Sequence, residues 1–324
     1  MQYLVRHLTR FVYTTPICES VMELRMQPLE LDRQRCLRFN VTTSQRARLF
    51  AYRDHYGNAV HYFDIPGHHA RLDITVESAV DVGPAPVLPK ALPSDAWRDV
   101  DAVGATGEHA DWLLASSFTR PTAALQQFAV AIGLSRKLDP LSTVRALNAT
   151  IYVQFSYEPR TTRVDSPIDD ALRARAGVCQ DFAHIMIGLV RSLGIPCRYV
   201  SGYIAPRESP QDRAGDNATH AWVEAYLPPL GWVGFDPTNN TEAGERHIAV
   251  AVGRDYADVP PTRGVFKGDA GSELSVAVAV TEAASPIPVR DLAPSVSWIV
   301  PPRAVAAGDD DVQRHQHQQQ QQQQ

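Results

Sequence analysis

Along the first eighty residues apolar and polar positions alternate: Tyr3, Val5 and His7 against Leu4 and Arg6, then Leu37, Phe39 and Val41 against Arg38 and Asn40. Period two over short runs predicts strands with one buried face. Tyr56-Gly57-Asn58-Ala59 lies between the apolar runs 49–52 and 60–63, and Gly-Asn there predicts a hairpin. Arg33, Arg35, Arg38, Arg46 and Arg48 crowd this stretch and read as a solvated strand face. Residues 1–83 are therefore expected to form an antiparallel β domain. Pro84, Pro86, Pro89 and Pro93 continue neither a ladder nor a helix, and mark a linker over about 84–93.

Beyond the linker the period changes. Leu125, Phe128 and Ile132, then Leu141, Val144, Leu147, Ile151 and Phe155, recur at spacings of three and four, which predicts several helices between Ala96 and Phe155. After Gly194 strands return at 197–204, 219–227 and 232–236, with a further candidate at 274–280. Residues 94–284 thus read as an α+β domain. From 285 to 324 the chain turns to Pro, acids and a Gln run, a tail with too little apolar surface to offset ordering.

Composition narrows the classes. The 324 residues are 44% hydrophobic and 21% charged, as in folded globular chains. Net charge is −5, so no global positive field draws nucleic acid or anionic lipid. Met1 to Tyr13 carries Arg6, His7 and Arg10 and lacks the unbroken apolar stretch of a secretory signal. Nothing approaches eighteen consecutive apolar residues. The four cysteines, Cys18, Cys36, Cys179 and Cys197, are too scattered for a disulfide framework. The expectation is a cytoplasmic protein with free thiols and neither membrane nor nucleic-acid partners.

The sharpest local feature is Arg175-Ala-Gly-Val-Cys179-Gln-Asp-Phe-Ala-His184. Phe182, Ile185, Met186, Leu189 and Leu193 follow at helical spacing, Asp181 suits a first turn, and Gly194 with Pro196 ends the run. A thiol in that first turn meets the positive end of the helix dipole, which stabilises the thiolate, as a nucleophile requires. The bland alternative is a cysteine packed as a small hydrophobe. In Thr219-His220-Ala-Trp-Val-Glu-Ala-Tyr226, His220, Trp222, Glu224 and Tyr226 share one strand face. The turn at Pro228-Pro229-Leu230-Gly231 folds Trp232 to Asp236 back as a hairpin, placing His220 within two or three residues of Asp236. Asp236 can hold one ring nitrogen while the other faces the thiolate, which completes a Cys179, His220, Asp236 triad. A zinc reading of His184, Cys179, Cys197 and His220 fails on spacing. Residues 179 and 184 are separated by about 140° around a helix, and Cys197 lacks a paired ligand. No metal or cofactor is expected. Gln180 is a candidate oxyanion donor beside the helix-start amide. Trp222, with Trp232, Tyr203 and Tyr226, either lines a substrate groove or completes a core.

Gly177-Val-Cys179-Gln-Asp-Phe-Ala-His184, Gly194-Ile-Pro-Cys-Arg-Tyr-Val-Ser-Gly202-Tyr203, Thr219-His220-Ala-Trp222 and Gly231-Trp-Val-Gly-Phe-Asp236-Pro237 closely resemble the bacterial transglutaminase-like family of the papain-like thiol enzymes. The β-rich start, with Asp54-His-Tyr-Gly57-Asn58, is similar to that family's accessory N-terminal domain, so the resemblance spans roughly residues 1–270. It implies a helix-start cysteine packed on an antiparallel sheet, with Cys179 as nucleophile, His220 as base then acid, and Asp236 as orienter. It also suggests Tyr157 near the thiol, as a second donor. The implied chemistry is acyl transfer at amide or isopeptide carbonyls through a thioester. The substrate is a peptide or protein, with water or a primary amine as acceptor, and hydrolysis by a cysteine peptidase or amidase is the leading reading. Alternatives are protein-glutamine amine transfer and a non-catalytic peptide- or glycan-binding module. The calcium dependence of animal transglutaminases does not carry over, because no calcium loop is present.

Overall fold

The computed structural model describes residues 1–206, 212–213 and 219–284. In chain order the elements are β1 (Gln2–Leu24), β2 (Gln34–Thr43), β3 (Phe50–Arg53) and β4 (Ala59–Val82), then α1 (Ala96–Thr106), α2 (Ala123–Ala131), α3 (Pro140–Gln154), β5 (Ser156–Tyr157), α4 (Ile168–Ala174), β6 (Ala176–Gly177) and α5 (Cys179–Ser192). They continue as β7 (Cys197–Ile204), β8 (His220–Leu227), β9 (Gly231–Asp236), β10 (Thr241–Glu242), β11 (His247–Gly253), β12 (Thr262–Lys267) and β13 (Ser272–Glu282). No helix among the described residues is long and apolar enough to cross a membrane.

The alternation read from the sequence is the pleat of β1, which buries Tyr3, Val5, His7, Thr9, Phe11 and Tyr13 on one face. β1 runs antiparallel to β4, and β2 and β3 pair with β4. The β3–β4 turn closes because the Asp54 carboxylate accepts the Tyr56 and Asn58 amides while Gly57 takes φ +81°. On its other side β1 pairs with β12 through 19–24 and with β13 through 3–13. Residues 262–284, assigned from sequence to the second domain, therefore belong to the first sheet. Local patterning marks a strand but not its partner, and here the partner lies some 250 residues earlier in the chain.

The second half is a five-stranded antiparallel sheet in the order β10-β9-β8-β7-β11, with helices on one face. α5 sits at the centre, buried from Asp181 to Arg191, with its polar members Asp181, His184 and Arg191 each hydrogen-bonded. α3 is started by Asp139, whose carboxylate accepts the Ser142 amide, with Pro140 in the first turn. Leu125, Phe128, Leu141, Val144, Leu147 and Ile151 reach the core around α5, as their spacing predicts. The Pro-rich segment is docked rather than free: Arg145 donates to the Pro89 and Lys90 carbonyls, and the Leu92 amide donates to Asp139. The two sheets meet through Tyr3, Val5, Val80, Val82, Val278 and Val280 against Tyr203, Ala205, Ile248 and Val250. The expected tail, 285–324, lies outside the described residues.

Candidate functional site

Cys179 is the first residue of α5, entered from an extended Val178. The Asp181 carboxylate turns back to accept the Val178 amide at 2.9 Å and the Thr162 hydroxyl at 2.6 Å, which fixes the entry. A Cβ on Gly177 would stand 2.6 Å from the Asp181 Oδ2, so glycine is needed for this close approach. The parallel pairing of β5 with β6 sets Tyr157 against Gly177, two residues before the thiol. The Cys179 side chain is half-buried and forms no disulfide.

β8 and β9 pair with Val223 opposite Phe235, which sets Asp236 across from Trp222 and two residues from His220. His220 Nε2 lies 2.8 Å from Asp236 Oδ2, both side chains being fully buried. The Asp236 carboxylate collects further donors: the Thr238 amide (2.9 Å) and Asn239 amide (3.2 Å) at Oδ1, and Asn239 Nδ2 (2.8 Å) at Oδ2. His247 Nε2 approaches the same Oδ2 at 3.2 Å. The Gly244 amide donates to His247 Nδ1, so that ring carries its proton on Nε2 and donates it to Asp236.

The electrostatics follow from this arrangement. Burial disfavours a charged His220, but the Asp236 carboxylate, by charge and hydrogen bond, and the Cys179 sulfur override it and push the ring up to about 10. Burial would raise Asp236, and the two imidazoles outweigh it, holding the acid below the usual carboxylate range. Burial lowers His247, leaving it neutral. His220 Nδ1 is buried with no hydrogen-bonding partner among the described residues.

His220 and Asp236 are therefore brought together as the hairpin predicts, and the Cys179 sulfur lies near enough to His220 to act on its ring. Trp222 is not a groove residue: it is 2% exposed and stacks at 6.1 Å behind the His220 ring while meeting His247 edge-on at 5.1 Å. The same pleat that directs His220 inward buries Trp222 beneath the first half's Leu29. Gln180 donates its side-chain amide to the Val164 carbonyl at 2.9 Å, tying the loop before α4 to the helix start. Tyr157 packs edge-on to Phe182 at 6.4 Å. His184 is buried away from the thiol face, stacked on Phe118 and accepting the Tyr256 amide. Two residues escaped the sequence reading, Asn239 and His247. Asn239 had a local signal, an amide side chain just past the acid. His247 opens the apolar run 248–252 and had none.

His220, Asp236 and His247 together offer three metal-ligating atoms within 4.8 Å. Their N···O separations of 2.8 and 3.2 Å are those of hydrogen bonds, and each is accounted for by a proton on nitrogen.

Comparison with known proteins places the chain in a family. A sequence profile of the transglutaminase-like superfamily matches residues 128–237, and one of the bacterial transglutaminase-like N-terminal region matches 3–81. An uncharacterized protein of Mycobacterium leprae is 34% identical over 86% of this chain and 98% of its own length. Another, from Mycobacterium tuberculosis H37Rv, is 35% identical over 86% and 92%. The crystal structure of the "Putative Cysteine Protease" of Cytophaga hutchinsonii shares the fold, with a TM-score of 0.65 and 20% identity over 88% of this chain and 94% of that one. On these grounds the chain belongs to the bacterial transglutaminase-like family, with a transglutaminase-like, papain-like core carried behind that family's β-rich N-terminal region.

Proposed function

We propose that this protein is a thiol-dependent hydrolase of peptide or isopeptide amides, with Cys179 as nucleophile, His220 as general base and acid, and Asp236 as the group that orients the imidazole. The observation that carries the reading is the division of the His220 ring: Nε2 is taken by Asp236, and Nδ1 is left for the thiol at the start of α5. In this mechanism the Cys179 thiolate attacks the carbonyl carbon. The oxyanion meets the helix-start amide of Cys179, which has no intrahelical acceptor. The C–N bond breaks as the His220 imidazolium gives its proton to the leaving amine, and a thioester remains. Water then attacks, His220 takes its proton, and the C–S bond breaks to release a carboxylic acid.

Transfer to an amine is the second reading. It is favoured by a local match of 107 residues, at 35% identity, to the Protein-glutamine gamma-glutamyltransferase of Pseudomonas aeruginosa, although the match covers only 16% of that protein. Incubating the chain with a peptide library and a primary amine, with mass spectrometry of the Cys179 peptide and of the products, separates the two. A thioester on Cys179 with free acid as product supports hydrolysis. Amide products carrying the amine support transfer. No adduct, with a Cys179→Ala variant processing peptides as well as the parent, overturns both.

A further inference from the structure

The mechanism above uses one imidazole on Asp236, yet two are present. β11, which carries His247, is an edge strand: one side pairs with β7 and the other faces the N-terminal half. That free side is filled by side-chain amides acting in place of a strand. Gln34 Oε1 accepts the Ala249 amide at 2.8 Å, and Gln34 Nε2 donates to the Ala249 carbonyl at 2.7 Å and the Leu29 carbonyl at 2.8 Å. Three residues on, Asn58 repeats the pattern. It accepts the Val252 amide and donates to the Val252 carbonyl, both at 2.8 Å, while its amide also reaches Asp54. Both Gln34 and Asn58 are buried, and the Leu29 amide adds a main-chain bond to the Ala249 carbonyl. The ladder with β7 slips between Ala249 and Ala251, so the β7 side alone does not hold an unbroken register across the segment that Gln34 grips.

We propose that His247 is a positioning residue for Asp236, and that the N-terminal half holds it there through Gln34. As a neutral donor to Oδ2, His247 fixes the face of the carboxylate that the His220 ring must meet. Displacement of β11 would withdraw that donor, leaving the Thr238 and Asn239 amides on Oδ1 but only Asn239 Nδ2 beside the His220 ring on Oδ2, the oxygen that orients the imidazole. The accessory half would then be part of the acid–base apparatus without touching a substrate. This inference deepens the thiol-enzyme reading and depends on it.

The test uses the full chain and iodoacetamide, with labelling read by mass spectrometry at the Cys179 peptide from pH 5 to 9. Well below the ordinary thiol range of about 8.5 a free cysteine alkylates slowly, so fast labelling at pH 6 reports the imidazole acting on the sulfur. His247→Gln keeps a donor at the Nε2 position, whereas His247→Asn places its amide near Nδ1, where it can still accept from Gly244 but not reach Asp236. Labelling at pH 6 should stay within about two-fold of wild type in His247→Gln and fall about ten-fold in His247→Asn, in the range of orienting partners elsewhere. A role in packing or loop support alone predicts that His247→Asn is no worse than His247→Gln, and that result overturns the proposal. Gln34→Ala should lower labelling at pH 6 on its own and add little in the His247→Asn background, since both act on one contact. Independent, additive losses overturn the link to the N-terminal half. If Gln34→Ala is too unstable to purify, the pair at 247 still decides the role of His247, and Gln34→Leu, of matching length, decides the link. His220→Ala is the control for the underlying reading. Unchanged labelling at pH 6 in that variant means the thiol–imidazole pair itself is wrong, whereas a loss there with wild-type behaviour in both 247 variants rejects the present inference alone.

Discussion

At the scale of single residues, Asp236 does more than face a histidine. Its two oxygens accept from His220, His247, Thr238 and Asn239, and every one of these bonds requires an acceptor. Asparagine keeps the shape but turns one end into a donor, so either the Thr238 and Asn239 amides or the His220 nitrogen loses its partner. Asp236→Asn should lower peptide turnover by about 10²–10⁴-fold and cost about 1–3 kcal/mol of stability, measurable by steady-state rates and denaturant melts. Turnover within two-fold of wild type would remove Asp236 from the site. The thiols differ in the same physical terms. Burial pushes Cys36 and Cys197 up to about 12, so neither should react at neutral pH. Cys18 is exposed, with His68 at 3.5 Å, and is the competitor for Cys179. Limiting iodoacetamide at pH 7 should give Cys179 first, Cys18 second and no adduct at the other two in an unproteolysed sample. Labelling of Cys197 before Cys179 would contradict the buried setting of one or the activation of the other.

At the scale of elements, the contact that sets His220 against β11 is a glycine. Gly202 pairs with His220 on one side and Ala249 on the other, and a Cβ there would run into the Ile248 carbonyl and the Trp222 ring. Neither neighbour can give way cheaply, since one is backbone and the other is the wall behind His220. Gly202→Ala should therefore lose about 1–3 kcal/mol and reduce Cys179 labelling at pH 6, and a variant with wild-type melting would show that β11 has room to shift. The same elements show what the sequence could disclose. α5 begins at Cys179, and β7, β8 and β9 fall within one residue of their expected bounds, because helical spacing, strand alternation and the turn at 228–231 are local signals. That locality also explains the approach of His220 to Asp236, which is set by one hairpin. β11 and β12 were not predicted. An unbroken run such as Ile248 to Val252 carries no period to read, and which strand it pairs with is decided by residues far away. His247 and the sheet membership of β13 were hidden for the same reason, while Trp222 was ambiguous because a strand face can meet either solvent or a second layer.

At the scale of the molecule, three histidines tie the stability of both halves to pH. His61 lies in the first sheet, His184 within α5, and His7 at the junction, where its Nδ1 meets the Tyr203 hydroxyl at 2.9 Å. Burial, the largest cause in each, lowers all three to about 4; Arg53 reinforces the shift at His61, and Asp255 partly opposes it at His184. A histidine whose folded pKa lies below its unfolded value of about 6.5 binds its proton mainly in the unfolded chain between those limits. The stability it contributes is fully present above about pH 6.5 and is lost as pH falls toward 4. His220 has the opposite sign: raised to about 10, it contributes fully below about pH 6.5 and loses that contribution progressively as pH rises from there through 10. It therefore does not offset the acid loss. With each neutral buried histidine contributing about 1.4 kcal/mol per pH unit, three should steepen the acid limb by about 4 kcal/mol per unit between pH 6 and 5. Urea unfolding at half-unit steps from pH 7.5 to 4.5 measures the slope. His7→Phe should remove about a third of it, because burial of that ring at the junction of the two sheets is what disfavours its charged form. A flat profile across that window would mean that the three rings stay protonated or water-accessible in the fold, and that the junction between the halves is not closed around His7.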